Sequence, residues 1–142
     1  MSAEVVIVDG WATPSGYTAG RIGAGRTLHV AGCVGWDAQC KFHSTDLVEQ
    51  FGRALGNVVA VVHAARGRTA DIASMTIYVT DMVEYRARRR ELGPVWRAHM
   101  LTHFPAMALV AVTALVEPEA VVEIQAIAQL AHEDDEEKGS LL

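Results

Sequence analysis

The sequence predicts an α+β domain, and three observations lead to this fold class. Residues 104–130 read as two apolar strands separated by a turn at Pro118. Apolar residues recur at helical spacing between Leu47 and Val62. The chain has 142 residues, of which 51% are hydrophobic and 20% charged, which suits one globular domain. We expect a mixed sheet of about six strands with two α-helices on one face.

The amino-terminal part contributes strands. Residues 1–10 lack the basic start and apolar core of a secretory signal, and residues 4–8 within them alternate as a strand does. Gly20, Gly23 and Gly25 precede a further strand, Leu28 to Gly32. Because a strand and not a helix follows these glycines, they predict a β-turn and not a dinucleotide site.

Two helices are expected after these strands. The first has possible N-caps at residues 44–46, and Gly67 is expected to end it in a left-handed conformation. Its predicted core residues are Leu47, Phe51, Leu55, Val58 and Val62. The second begins near Val83, and Gly93-Pro94 is expected to bend or interrupt it, because proline lacks a backbone donor. Its predicted inward residues are Tyr85, Leu92, Val95, Trp96 and Met100.

The last two strands predict both a polar surface and an assembly. Residues 106–116 are apolar on both faces, whereas the strand after Pro118 has two different faces. Val122, Ile124, Ala126 and Ala128 fall on one side, and Glu123, Gln125 and Gln129 fall on the other. Since two helices cover only one face of the sheet, we expect another subunit to cover the second face.

Composition limits the remaining possibilities. No apolar run reaches the roughly 18 residues that a membrane span needs. With only Cys33 and Cys40 and no extracellular context, we expect free thiols and a cytoplasmic protein. The net charge is -5, and residues 132–142 form an acidic tail that we expect to be solvated, leaving residues 1–131 as a single domain.

Several motifs of the chain resemble the Rid family, also called YjgF/YER057c/UK114. Pro105-Ala106 resembles the opening of the family signature, and Val122-Glu123-Ile124 resembles its close. Gly16-Tyr17 is similar to an early segment with a tyrosine that faces the ligand. Residues 28–32 are similar to a strand that lines the same site, with Ala31 in place of a serine. Met107 stands where active members carry arginine.

The resemblance implies a chorismate-mutase-like fold and a homotrimer with a central β-barrel. It also implies ligand clefts between subunits, where arginine binds a substrate carboxylate and water attacks an imine. Methionine offers neither charge nor hydrogen-bond donors, so Met107 predicts a less acidic, more apolar ligand. An arginine from elsewhere is the alternative, and the candidates are Arg21, Arg26 and Arg97.

The candidate site residues each have a second interpretation. Glu123 is either a proton shuttle or a bridge between subunits. Tyr17 either contacts the ligand or lies half-buried at an interface. Ala31 and Gly32 present backbone to the ligand, or Gly32 marks a strand bend. Cys33 lines the pocket, but a structural role is favoured because no activating base is visible.

The remaining patterns predict neither a metal nor another cofactor. His29, Cys33, Cys40 and His43 lack zinc-site spacing, and His99 with His103 lacks the glutamate of a metalloprotease helix. Arg86 and residues 88–90 form a basic cluster, but neighbouring acids and the negative net charge make nucleic-acid binding a weak reading. Three functions remain: a hydrolytic imine or enamine deaminase, a non-catalytic trimeric metabolite binder, and an RNA- or protein-interacting module.

Overall fold

A computed structural model describes residues 4–132, which form six strands and three α-helices. The strands are β1 (Glu4–Val6), β2 (Gly20–Ile22), β3 (Arg26–Val34), β4 (Ile72–Val79), β5 (Ala106–Ala111) and β6 (Val122–Leu130). The helices are α1 (Leu47–Ala64), α2 (Met82–Ala87) and α3 (Arg89–Met100), and a 3₁₀ turn spans Thr69–Asp71. Apart from His132, the predicted acidic tail lies outside the described residues.

The strands form two sheets, which differs from the single sheet of about six strands that we expected. A four-stranded sheet has the order β3-β6-β4-β5, in which only β4 and β5 are parallel, while β1 and β2 pair separately. The β1–β2 pair spans only three residues of each strand. The segment just before β2 contacts the four-stranded sheet through a parallel β-bridge between Thr18 and Ala106. The sheet is mixed, as predicted.

Helix α1 forms the centre of the core, and all five of its predicted core residues are buried. Asp46 is the N-cap and accepts a hydrogen bond from the amide of Glu49 at 3.1 Å. The predicted role of Gly67 is wrong by one residue, because Arg66 has the positive φ of 62°. Gly67 instead donates to Val62 at 2.9 Å. A Cβ at Gly67 would lie 2.5 Å from Cδ2 of Leu130, so packing excludes a side chain there.

The second predicted helix is divided, but not at Gly93-Pro94. It breaks at Arg88, where α2 ends and α3 begins, and Pro94 lies within α3. The guanidinium of Arg88 makes ion pairs with Asp46, Glu84 and Glu91, which join this break to the start of α1. Pro94 is exposed. Proline has no backbone N–H, so the carbonyl four residues before Pro94 has no helical hydrogen-bond donor. Because this part of the helix is exposed, water can hydrate that carbonyl instead.

Strand β6 confirms the predicted alternation. Its four predicted apolar residues are buried against the helices. Glu123 and Gln125 occupy the opposite face, which no helix of the described chain covers. Strand β5 ends at Ala111 and not at Val116, whose side chain is 93% exposed. No helix within residues 4–132 is both long and apolar enough to cross a membrane.

We predict that the Asp46–Arg88 contact makes stability depend on pH. The guanidinium of Arg88, and then the amide of Glu49, lower the pKa of Asp46 in the folded chain. Its charge therefore stabilises the fold above the ordinary aspartate pKa of about 3.9, and this stabilisation is lost as pH falls through the lower folded pKa. Asp46→Asn, which retains a capping side chain, should reduce the urea midpoint at pH 7, and its difference from the wild type should shrink as pH falls below the ordinary aspartate pKa.

Asp81→Asn is the matched control. Asp81 caps α2 by accepting from the amide of Glu84 at 3.0 Å, but it has no salt bridge among the described residues. The same pH-dependent loss in both variants would contradict a specific contribution from Arg88.

Candidate functional site

A β-bulge in β3 brings four predicted site residues together. Val30 pairs with Ala126 and Cys33 with Ile124, so β3 advances three residues while β6 advances two. Such bulges bend a strand and redirect its side chains. The bulge contains Ala31 and Gly32, and a Cβ on Gly32 would lie 2.9 Å from Cδ of Glu123. Glycine at this position therefore lets the Glu123 side chain pass directly over the backbone.

Cys33 is near enough to Glu123 to be affected by its charge, but it lacks the features of a nucleophile. Its Sγ donates to the carbonyl of Ala31 at 3.4 Å. Burial, and then the negative charge of Glu123, raise the pKa of the half-buried thiol. A raised pKa keeps the sulfur protonated near neutral pH, which favours a structural role.

Tyr17 and Met107 form a second group at the edge of β5. Met107 pairs in register with Met75, which is 2% exposed, so both side chains face the helices. The amide of Thr18 donates to the carbonyl of Pro105 at 3.1 Å and holds Tyr17 beside this strand. Tyr17 and Met107 line a cavity of about 360 Å³. Other apolar lining residues are Phe51, Ile77, Tyr85, Leu92, Trp96, Phe104 and Leu109.

The two groups lie on opposite faces of the central sheet. Glu123 pairs with Tyr78, and Tyr78 pairs with Val110, which places this row on the face without helices. Met107 belongs to the alternate row and points toward the helices. A single chain therefore brings Tyr17 to Met107, and Glu123 to the backbone of Ala31 and Gly32, but it does not bring the two groups to one ligand. Cys33 pairs with Ile124 and packs against the core on the helix side.

None of the three predicted replacement arginines lines the Tyr17–Met107 cavity. Arg21 donates to the carbonyl of Phe104 through Nε at 3.2 Å and Nη2 at 3.0 Å. Arg26 donates to the carbonyl of Ala131 at 3.1 Å. Arg97 lines an adjoining groove. The missing guanidinium is therefore not restored at the cavity by any of these residues.

Sequence reasoning missed Arg89, which does line the Tyr17–Met107 cavity. Its position carried a signal, because Arg89 lies three residues before Leu92 and seven before Trp96, which are both inward residues of α3. Residues at these spacings share one helix face. By its place in the sequence, Arg89 instead belongs to the basic cluster of Arg86 and residues 88–90.

The histidine and cysteine patterns form no metal site in the part of the chain that the structure describes. No group of three histidine, cysteine, aspartate or glutamate side chains lies close enough within residues 4–132 to hold an ion. Cys33 and Cys40 are both free, and His43 contacts Asp37 at 2.7 Å.

We predict that Glu123→Gln lowers the pKa of Cys33, because the substitution removes one of the two causes of the raised value. Burial should keep the pKa above that of an ordinary thiol. Thiolate absorbance near 240 nm, followed against pH in a Cys40→Ser background, measures the change. Glu119→Gln, in the exposed turn before β6, serves as the control. An unchanged Cys33 titration in Glu123→Gln would contradict the observed proximity.

Comparison with known proteins shows that the chain matches a protein family. The family described as Endoribonuclease L-PSP matches residues 11–130. The UK114 protein of Drosophila melanogaster, a RutC family protein, is 31% identical over 106 residues, covering 74% of this chain and 73% of that protein.

Solved structures support the same relationship. YyfB of Yersinia pestis, of the conserved Rid protein family, has a TM-score of 0.75 and 28% identity, covering 92% of this chain and all of that one. Escherichia coli TdcF with bound serine has a TM-score of 0.65 and 25% identity, covering 92% and 94% of the two chains. The match over residues 11–130 and the shared α+β fold establish that this chain belongs to the Endoribonuclease L-PSP family, which is the Rid (YjgF/YER057c/UK114) family.

Proposed function

We propose that the protein is a homotrimer that hydrolyses a reactive imine or enamine metabolite in clefts between its subunits. The observation that carries this proposal is the placement of Met107 and Glu123 on opposite faces of one sheet. A ligand that touches both groups therefore needs two copies of the chain. One copy supplies Tyr17 and Met107, and its neighbour supplies Glu123 and Gly32.

Exposed apolar side chains support assembly. Ile7 is 86% exposed, Trp11 68% and Ile22 59%, and Val110 is 41% exposed on the sheet face without helices. Apolar surface of this kind is typical of protein interfaces. The number of three subunits comes from the family resemblance, and the bound serine of TdcF supports a small-molecule ligand. We also propose the cytoplasm as the compartment, which agrees with two free cysteines.

In the proposed reaction, water attacks the imine carbon and Glu123 accepts a proton from it. The carboxyl group then gives this proton to the nitrogen, which completes a carbinolamine. The same carboxylate next carries the hydroxyl proton of the carbinolamine to the nitrogen, the carbon–nitrogen bond breaks, and ammonia leaves as the carbonyl group forms. Backbone groups at Ala31 and Gly32 orient the water, because the bulge places them directly beneath the carboxylate. Met107 provides an apolar wall and no cation, so the substrate is more apolar than 2-aminoacrylate.

Glu123→Gln tests the proposed chemistry with little change in side-chain size. An amide cannot accept and return the proton, so kcat for ammonia release should fall by about 100-fold or more. The substrates are imines generated in place from a panel of amino acids by an amino-acid oxidase, and ammonia is measured by a coupled assay. Glu119→Gln is the matched control. Undiminished ammonia release by Glu123→Gln would contradict the proposed role.

Met107→Arg tests the origin of the altered specificity. A guanidinium offers paired donors to a carboxylate, so this variant should raise kcat/KM for 2-aminoacrylate by about tenfold or more. Met107→Leu, which retains an apolar side chain, should leave this activity low. Equal activities of Met107→Arg and Met107→Leu would show that the missing arginine does not set the specificity.

A non-catalytic metabolite binder is the second candidate, because Met107 removes the usual carboxylate contact. Calorimetric binding of 2-oxo acids without ammonia release from any imine would support it. The helical face is a weaker candidate for RNA binding. Three carboxylates already neutralise Arg88, and Arg89 borders the apolar cavity.

A further inference from the structure

We propose that Arg89 and the Tyr17–Met107 cavity form a binding site for an aromatic monocarboxylate. This inference specifies the ligand class of the cleft proposed above and rests on that proposal for its biological role. Its physical basis is the joint arrangement of one guanidinium with an apolar cavity of about 360 Å³.

The cavity wall indicates an aromatic ligand. Trp96 and Phe104 stack with their rings 1° from parallel and their centroids 5.6 Å apart, which presents a rigid aromatic surface. Met107 and Leu109 add flexible and aliphatic surface from β5. A volume of about 360 Å³ lies within the range of small-ligand pockets. An aromatic ring would replace water against these side chains.

The charge of the cavity indicates an anion with a single charge. Among residues 4–132, Arg89 is the only charged residue that lines the cavity, and no aspartate or glutamate of this part of the chain lines it. One guanidinium matches one carboxylate through two parallel hydrogen bonds. A phosphate monoester would bring nearly two charges and more acceptor oxygens than this lining can match.

Arg89 is available for this contact, whereas Arg88 is not. Arg88 makes ion pairs with Asp46, Glu84 and Glu91. Arg89 is exposed and has no salt bridge with a carboxylate in the described part of the chain. The three neighbouring carboxylates therefore pair with Arg88, and the guanidinium of Arg89 remains available to a ligand.

Arg89 also lies where the polar end of such a ligand would emerge. It occupies the first turn of α3, on the same helix face as the buried residues Leu92 and Trp96. Arg89 is exposed whereas Leu92 and Trp96 are buried, so the charged part of the lining is on its solvent side and the apolar part is further inside. A ligand with an aromatic body and a carboxylate at one end matches that gradient.

Titration of the full chain with phenylacetate, phenylacetamide and acetate at low ionic strength tests the site. Phenylacetate carries both a ring and a charge, phenylacetamide only the ring, and acetate only the charge. Chemical-shift changes of the backbone amides and of the Trp96 indole show where on the protein each probe binds. The wild type should bind phenylacetate at least about tenfold more tightly than phenylacetamide or acetate. Arg89→Gln should remove this preference, and Arg90→Gln, at the neighbouring exposed position, should retain it.

Three results would overturn the inference. They are absence of saturable phenylacetate binding, equal affinity for phenylacetate and phenylacetamide in the wild type, and an unchanged preference in Arg89→Gln with native circular dichroism. The hydrolytic proposal fails separately. Selective phenylacetate binding that depends on Arg89, without ammonia release from any imine, would reject hydrolysis and retain this site. Ammonia release without Arg89-dependent selectivity would support hydrolysis and reject the proposed binding site.

Discussion

The helices cover only one face of the central sheet, and the arrangement of the candidate site depends on this asymmetry. Because side chains alternate across a strand, adjacent rows of residues experience an apolar core and an open surface. Val122 and Ile124 complete the core, and Glu123 between them faces outward. The same alternation directs Met107 toward the helices on β5. The apolar surface around Met107 and the carboxylate of Glu123 therefore lie on opposite sides of the sheet.

A buried amide positions the acidic side of this arrangement. Gln50 of α1 is 1% exposed, and its Nε2 donates to the carbonyls of Ser44 and Glu119 at 2.9 and 2.8 Å. Its Oε1 accepts from the amide of Val121 at 2.9 Å, directly before β6 begins. These buried bonds are costly to leave unmade, so they hold the entry to β6 firmly against α1. The register of Glu123 over Gly32 follows from that anchoring and from the bulge in β3.

The positions of Met107 and Arg89 differ in how water surrounds them. A charge on β5 beneath the helices would lose hydration and would need a partner to offset that cost. Arg89 at the cavity mouth keeps contact with water, so its attraction for an anion is weaker and more sensitive to salt. In the site that we propose, a cation on the helix and not on the strand would make ligand affinity depend less on charge and more on apolar contact. This agrees with the apolar lining around Trp96 and Phe104.

Several elements of this protein can be predicted before folding is considered, because local pattern controls them. The buried side of α1, the alternation of β6 and the family signature at Pro105-Ala106 and Val122-Glu123-Ile124 are all readable because each depends on spacing along the chain. Packing of the folded chain is needed to define three other features: the bulge at Ala31-Gly32, the helix break at Arg88 and the opposite orientations of Met107 and Glu123. These features arise from strand register and from ion pairs between distant segments, so no local periodicity encodes them. Arg89 lies between the two cases, since its spacing was visible but its cavity exists only after β5 and the helices pack together.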